Sequence, residues 1–169
     1  ITTAQPEICR EKTSNHPLET LYFYLSEGCN LACSHCWLSP VQSQPGQNSA
    51  FLPINLFQKI INEAVPLGLT GVKLTGGEPL LHPEINEILD FVYKKNLDVI
   101  IETNGTLCTA ELVENIARQR SSFVSVSLDA ADAATHDKLR GKQGAYKKTI
   151  QCIQALTNNN ITTQIIMTF

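Results

Sequence analysis

Features that would assign this chain to a specialised class are missing from its 169 residues. No apolar run approaches the roughly 20 residues that cross a bilayer, and residues 1–17 have no apolar stretch of the kind found in secretory signal peptides. Charged residues make up only 17%, with a formal net charge of −3, so no basic surface is predicted. We therefore expect a cytoplasmic protein with neither nucleic acid nor a membrane as a partner.

The chain also lacks an initiating methionine. It begins at Ile1 and stops at Phe169 inside an apolar run, so we expect it to be part of a longer protein. Its 43% hydrophobic content is that of an ordinary globular domain. We divide it into a polar lead-in, residues 1–19, and one folded core, residues 20–169.

Its six cysteines are not expected to form a disulfide framework, because no export signal is visible and a reducing cytoplasm would keep the thiols free. Three of the six fall within one short loop, and such clustering is typical of a metal site. The clustered residues are Cys29, Cys33 and Cys36, and the scattered ones are Cys9, Cys108 and Cys152.

Strand and helix patterns alternate after residue 19. Stretches rich in aliphatic, aromatic and β-branched residues predict strands, and apolar residues at helical spacing predict helices between them. The predicted strands span residues 20–26, 71–75, 97–103, 122–128 and 161–169. The predicted helices span about 55–65, 83–95, a segment capped by Thr109, and 146–157, with a loop at 38–53 and a broken helical stretch after Asp129.

This alternation predicts an α/β fold with a parallel sheet, because parallel neighbours need crossover helices. Either a doubly wound sheet or a barrel satisfies that rule. The spacing is regular, and no GxGxxG or GKS fingerprint follows the first strand. We therefore expect a partial (β/α) barrel, with about four βα units and a fifth strand.

Chemically distinctive residues follow four of the predicted strands. The first strand leads to the cysteine cluster and the second to the sequence GGEP at 76–79. The third ends near Asn104, and the fourth ends at Ser127 and Asp129. Because reacting groups of β/α barrels lie at the carboxyl ends of the strands, these residues are predicted to meet at one rim.

The cysteine triplet carries the sharpest chemical signal. Three closely spaced thiolates can bind three corners of a [4Fe–4S] cluster and leave one iron open for a small molecule. The alternative is a zinc site, which usually takes four protein ligands. His35 could be the fourth, although its place between two of the cysteines would strain the coordination.

The CxxxCxxC motif, the GGEP turn and the Asp-terminated fourth strand together resemble the radical S-adenosylmethionine (SAM) superfamily, from about Leu21 to Phe169. The resemblance implies a [4Fe–4S] cluster on Cys29, Cys33 and Cys36, with SAM bound at the open iron. It further implies reductive cleavage of SAM to a 5′-deoxyadenosyl radical, hydrogen abstraction from a substrate, and a reductant such as flavodoxin or ferredoxin.

The same resemblance assigns residues around SAM on the cysteine and glycine side. His35 stands where the family has an aromatic residue near the adenine, although it could equally be a polar loop residue. Gly76, Gly77 and Glu78 match the motif that contacts the methionine amino group. A backbone without side chains permits close approach there, and a carboxylate suits an ammonium group.

Residues on the other side are assigned in the same way. Ser127 and Asp129 match positions that hold the ribose or carboxylate of SAM, and Arg140 matches an arginine that pairs with the carboxylate. Asn104 is expected near SAM. The competing readings are a solvated arginine at 140 and an ordinary Asn-Gly turn at 104.

Four further residues have simpler interpretations. Cys108 follows the third strand, where a thiol could donate a hydrogen atom to a product radical, but most such cysteines are small apolar residues. Trp37 is expected either to wall the cluster from solvent or to pack. His16 and His82 are predicted to be surface residues.

The run from Leu21 to Trp37, the sequence LTGGEPLLHP and the DxxRG segment ending at Gly141 resemble a branch that modifies peptides or proteins. This branch includes maturases of ribosomal peptides (RiPPs) and of sulfatases, and many members carry a C-terminal SPASM or twitch domain with auxiliary clusters. We expect such a domain, and the remaining barrel strands, to be missing here. The alternatives are a radical SAM enzyme acting on a small molecule in cofactor or natural-product biosynthesis, and a non-catalytic metal-binding protein.

Overall fold

The computed structural model describes residues 17–47 and 49–168. Its main sheet consists of β1 (Thr20–Ser26), β4 (Gly71–Gly76), β5 (Asp98–Thr103), β6 (Ser122–Ser127) and β7 (Thr162–Ile166). These strands are all parallel and lie in the order β1-β4-β5-β6-β7. A separate parallel pair is formed by β2 (Gly28–Cys29) and β3 (Val41–Gln42).

Helices connect each strand to its neighbour in the sheet. They are α1 (Ile54–Ala64), α2 (Ile85–Lys94), α3 (Ala110–Ala117), α4 (Ala133–Arg140) and α5 (Ala145–Asn158), with 3₁₀ turns at Val65–Leu67 and Pro79–Leu81. Across residues 17–47 and 49–168, each helix is too short or too polar to span a lipid bilayer. The alternation of strands and helices predicted from the sequence is therefore confirmed.

The helices cover one face of the sheet. On that face the strand side chains and the apolar faces of the helices form one buried cluster, with Leu25, Leu74 and Ile101 fully buried beside Phe57. On the other face, Tyr22 and Tyr24 of β1 are 63% and 54% exposed. A doubly wound sheet would be covered on both faces. The one-sided cover is that of a partial barrel.

Two loops differ from the sequence prediction. The stretch after Asp129 contains a continuous helix, α4, which begins where the Asp132 side chain accepts the backbone N–H of Thr135 and ends at Gly141 in the left-handed conformation. The predicted loop at 38–53 contributes β3, which pairs with the start of the cysteine cluster.

The prediction that His82 lies on the surface is wrong. His82 is buried, its Nε2 donates to the carbonyl oxygen of Leu52 at 2.8 Å, and its Nδ1 accepts the N–H of Glu84 at 3.1 Å. Its ring also meets Phe51 edge-on. Because both ring nitrogens are hydrogen-bonded, burial of this polar ring carries little cost. The predicted surface residue His16 lies outside the described residues.

Candidate active site at the carboxyl ends of the strands

A cavity of about 320 Å³ opens at the carboxyl ends of the strands. It brings together most of the residues that the sequence predicted to lie at the site. Those that line it are Cys29, Cys33, His35, Cys36, Gly76, Gly77, Asn104, Ser127 and Arg140. Glu78 and Asp129 do not line the cavity and are buried behind its wall.

The glycine turn after β4 holds the N-terminal end of the cysteine loop. Gly77 donates its N–H to the carbonyl oxygen of Ser26 at 2.8 Å, and Glu78 donates its N–H to that of Gly28 at 2.9 Å. A Cβ on Gly77 would overlap the carbonyl oxygen of Gly28. We call this contact of Gly77 and Glu78 with residues 26–28 the first clamp. Glycine is therefore required here by the chain itself.

The end of α4 holds the middle of the same loop. Ala32 donates its N–H to the carbonyl oxygen of Arg140 at 3.1 Å, and Ser34 donates its N–H to that of Leu139 at 2.9 Å. Gly141 has a φ of 65°, and a Cβ there would overlap the carbonyl oxygen of Ala32. This contact of residues 139–141 with residues 32–34 is the second clamp. No motif in the sequence predicts it.

Glu78 fixes the end of β5 from behind the cavity wall. Its side chain accepts hydrogen bonds from the Thr103 hydroxyl at 2.7 Å, from the Leu80 N–H at 3.0 Å and from the Asn104 N–H at 2.8 Å. Burial raises the pKa of this carboxyl to about 7, against the effect of these hydrogen bonds. In this arrangement the carboxylate holds Asn104 in place, and it does not face the cavity.

Asn104 is the centre of a buried amide network. Its Oδ1 accepts bonds from the N–H and the hydroxyl of Thr106 at 2.9 and 2.7 Å. Its Nδ2 donates to Asn30 Oδ1 at 3.0 Å and lies 3.8 Å from the Sγ of Cys29. The Thr149 hydroxyl of α5 donates to the Asn104 carbonyl oxygen at 2.9 Å. Sequence analysis missed Asn30, whose signal is its position directly after the first cysteine.

Arg140 forms a buried ion pair with Asp129. Its Nη2 donates to Asp129 Oδ1 at 2.9 Å, its Nε lies 2.7 Å from Oδ2, and its Nη1 lies 3.6 Å from the Sγ of Cys33. Arg140 is only 7% exposed, so the solvated reading is wrong. Asp129 also accepts the Thr168 N–H at 3.2 Å, and His35 Nε2 lies 3.8 Å from its Oδ2. The arginine that was expected to pair with SAM is therefore paired with a carboxylate of its own chain.

His136 of α4 is a second residue that the sequence did not identify. It is fully buried, its Nδ1 accepts the Asp129 N–H at 3.2 Å, and its ring meets Tyr146 edge-on. Burial and the nearby Arg140 cation lower its pKa. The neutral ring therefore supports the start of the segment that carries Asp129.

The three clustered thiols fit an iron–sulfur cluster as a donor set. Burial raises the pKa of Cys29 to about 11 and also raises the pKa of Cys33, while the Arg140 cation opposes the second shift. In the described part of the chain, no three His, Cys, Asp or Glu side chains are arranged around one metal-ion position. A cubane gives each thiolate its own iron, so its ligands need only border one cavity, as Cys29, Cys33 and Cys36 do.

Two other predicted residues lie at the margin. Trp37 lines the cavity but is 80% exposed, so its ring is largely in solvent. Cys108 does not line the cavity. It is a free thiol that packs partly buried against the core. Cys9 lies outside the described residues.

Comparison with known proteins identifies the family. The sequence profile of the Radical SAM superfamily matches residues 23–169. The chain belongs to this superfamily. The family expected from the motifs is therefore confirmed, and the enzymes of the radical SAM superfamily use the predicted cofactors, a [4Fe–4S] cluster and SAM.

Two similar proteins have names that point to different roles. The antilisterial bacteriocin subtilosin biosynthesis protein AlbA of Bacillus subtilis (strain 168) is 35% identical over 146 residues, which cover 86% of this chain and 32% of AlbA. The AdoMet-dependent heme synthase of Methanosarcina barkeri is 37% identical over 141 residues, which cover 83% of this chain and 40% of the synthase. The chain thus spans about a third of the length of AlbA and two fifths of that of the synthase.

Solved structures confirm the fold. Streptococcus suis SuiB bound to S-adenosylmethionine matches with a TM-score of 0.71 at 23% identity, covering 88% of this chain and 33% of SuiB. SuiB bound to its precursor peptide SuiA matches with a TM-score of 0.72 at 23% identity, covering 88% of this chain and 32% of SuiB. The partial barrel predicted from the sequence is therefore the fold that this chain shares with SuiB.

Proposed function

We propose that this chain is the cofactor-binding core of a radical SAM enzyme that modifies a peptide or protein in a maturation pathway. One observation carries the proposal: the same cavity is bordered by the three clustered thiols, by Gly76 and Gly77, and by Arg140. Cys29, Cys33 and Cys36 would hold the cluster and leave one iron open, since a saturated cluster takes four ligands.

The cofactor pair supplies, when bound, one-electron cleavage of a sulfonium to a 5′-deoxyadenosyl radical that takes a hydrogen atom from the substrate. The residues of this chain bind and orient. Gly76 and Gly77 border the cavity without side chains, and Ser127 offers a hydroxyl group from the end of β6. Arg140 directs Nη1 toward Cys33 while Asp129 holds the rest of the guanidinium. His35 borders the cavity beside these groups and could contact the adenine.

Two observations support a peptide or protein substrate. AlbA, named for subtilosin biosynthesis, is among the relatives, and SuiB binds a precursor peptide. A further cavity of about 570 Å³ shares Tyr24, Leu38 and Gly77 with the first, so there is room beside the cofactor site for a substrate larger than SAM. The heme synthase favours a second candidate function, action on a small molecule in cofactor biosynthesis.

The chemistry also implies a partner and a compartment. Reductive cleavage needs one electron from outside, so we include reduced flavodoxin or ferredoxin as the donor. The free thiols at the cavity suit the reducing cytoplasm.

Anaerobic cluster reconstitution of the full chain, followed by dithionite and SAM, tests the catalytic proposal. We expect a [4Fe–4S]⁺ EPR signal that shifts with SAM, and 5′-deoxyadenosine detected by mass spectrometry. Cys33→Ala should lose both, whereas Cys108→Ala, which removes a thiol outside the cavity, should keep both. A folded, cluster-loaded protein that neither responds to SAM nor cleaves it would leave only a structural metal site.

The substrate class is tested separately. 5′-Deoxyadenosine formation above the basal rate is measured with ribosomally encoded precursor peptides and, in parallel, with heme precursors. Stimulation by a peptide, together with a change in the peptide mass, supports maturation. Stimulation by the small molecules alone would replace it with the second candidate function.

A further inference from the structure

Two of the three clustered thiols have a side-chain N–H group close to the sulfur. Asn104 Nδ2 lies 3.8 Å from the Sγ of Cys29, and Arg140 Nη1 lies 3.6 Å from that of Cys33. Within residues 17–47 and 49–168, Cys36 has no such side-chain donor. The surroundings of the three sulfurs are therefore unequal, and they differ most between buried Cys29 and half-exposed Cys36.

We infer that Asn104 is a positioning residue whose amide N–H bonds to the Cys29 ligand and raises the reduction potential of the cluster. This inference rests on the proposed function, because it requires the cluster at the three cysteines. Reduction adds negative charge to a cluster, and a hydrogen bond to a ligand sulfur stabilises that charge. Removing the donor should make the cluster harder to reduce.

The network fixes the orientation of the amide. Both hydrogen bonds from Thr106 end on Asn104 Oδ1, so the N–H₂ group must face the other way, toward Asn30 Oδ1 and Cys29 Sγ. Its two N–H bonds match these two acceptors. Asn104 is therefore held as a donor to the sulfur. A flip of its amide, which would turn the oxygen toward the sulfur, would break several hydrogen bonds.

The backbone of Asn104 is held as firmly as its side chain. Glu78 accepts its N–H at 2.8 Å from the β4 side, and the Thr149 hydroxyl donates to its carbonyl oxygen at 2.9 Å from α5. The residue is 7% exposed, so water does not screen the bond to the sulfur. Asn104 is a better candidate than Arg140 for setting the potential, since Asp129 offsets the charge of the arginine.

The test is an EPR-monitored redox titration of the reconstituted full chain without SAM. Asn104→Ser removes the reach to Cys29 without adding charge, and Asn104→Asp keeps an acceptor for Thr106 but replaces the N–H donor. For Asn104→Ser we expect the ratio of reduced to oxidised cluster at a fixed potential to fall about threefold to tenfold, where tenfold corresponds to about 59 mV for one electron. For Asn104→Asp this ratio should fall further, because the negative charge of the aspartate opposes reduction of the cluster.

Two control variants separate the hydrogen bond from general loosening. Thr106→Val removes a hydroxyl that donates to Asn104 Oδ1 and accepts from Asn30 Nδ2. The Thr106 N–H still bonds to Asn104 Oδ1, so the Asn104 N–H stays on the sulfur. Asn115→Ala breaks a comparable amide pair, with Asn86 at 2.7 Å, away from the cavity. Both controls should keep the potential of the parent.

Unchanged potentials in both Asn104 variants, with full cluster loading and a SAM-shifted signal, would overturn the inference and leave the proposed function intact. So would a shift in Thr106→Val as large as that in Asn104→Ser, or folded Asn104 variants that hold no cluster. A parent chain that holds no SAM-responsive cluster would remove the proposed function and the inference together.

Discussion

The first clamp contacts the cysteine loop from the end of β4, the strand that pairs with β1. The second contacts it from the end of α4, where Ser34 donates a hydrogen bond to Leu139, 105 residues away in the sequence. Neutral donors surround Glu78 in the first clamp, and a buried ion pair anchors Arg140 in the second. The first contact follows from strand pairing. The second depends on backbone hydrogen bonds between segments more than 100 residues apart, and on an ion pair between Asp129 and Arg140, 11 residues apart, that fixes the end of α4.

The largest predicted effect is on the second clamp. Arg140→Met leaves the Asp129 carboxylate buried without its partner, and breaking a buried pair typically costs about 3–5 kcal/mol of unfolding free energy. Urea denaturation of the apoprotein should show this loss, and iron content after reconstitution should fall with it. Arg140→Lys keeps the charge and should lose less. Parent-like stability of Arg140→Met would mean that the ion pair does not hold this clamp.

The next effect compares the glycines of the two clamps. Gly77→Ala and Gly141→Ala each place a Cβ against a carbonyl oxygen of the cysteine loop, so both should lower iron content and cost roughly 1–3 kcal/mol. Gly144→Ala is the matched control, because Gly144 has a φ of 81° but open space around its Cβ position. It should lose stability from the backbone conformation alone and keep its iron. Equal iron loss in all three variants would contradict the role of the clamps.

A comparable effect on stability, but without a direct clash with the cysteine loop, is expected from Glu78→Gln in the first clamp. Glutamine keeps one acceptor oxygen, but its N–H₂ group would meet an N–H or O–H donor now bonded to Glu78, such as the Asn104 N–H. One unsatisfied buried donor costs about 1–3 kcal/mol. Thermal unfolding measures the change, and a Glu78→Gln variant as stable as the parent would show that these bonds are dispensable.

The smallest effect is a pH dependence in the first clamp. The pKa of Glu78 is raised from its ordinary value of 4.5 to about 7, so between these values the folded state binds more protons than the unfolded state. Its contribution to stability is complete below pH 4.5 and is lost as the pH rises through 7. Between pH 6 and pH 7 the loss should be about 1 kcal/mol. The unfolding free energy of Glu78→Gln, measured by denaturation, should not show this loss between pH 6 and pH 7. If Glu78→Gln and the parent had the same pH profile, Glu78 would not be its source.

The strands and the GGEP turn that forms the first clamp could be located because their signals are local, although the contact of that turn with residues 26–28 was not predicted. Apolar and β-branched runs mark β1 and β6, and the GGEP turn follows its strand directly. The helix α4 was predicted only as a broken stretch because its buried residues are polar, His136 and Arg140, so it has no apolar periodicity.

Long-range partners explain the rest of what sequence reasoning missed. The burial of His82 depends on the carbonyl of Leu52, 30 residues away, and that of Asn30 on Thr106, 76 residues away. No residue pattern near either position reports such a partner. The motif Cys29-x3-Cys33-x2-Cys36 could be recognised in the sequence, whereas the second clamp, which holds the same loop, could not be predicted from it.

The raised pKa values of Cys29 and Cys33 have a consequence for biogenesis. Before iron arrives, both sulfurs carry protons at neutral pH, and a protonated thiol reacts slowly with peroxide or with a disulfide. Loading the metal must expel those protons, so assembly becomes more favourable in alkaline solution. The burial that keeps protons on Cys29 and Cys33 therefore shifts their release, and with it metal loading, toward higher pH.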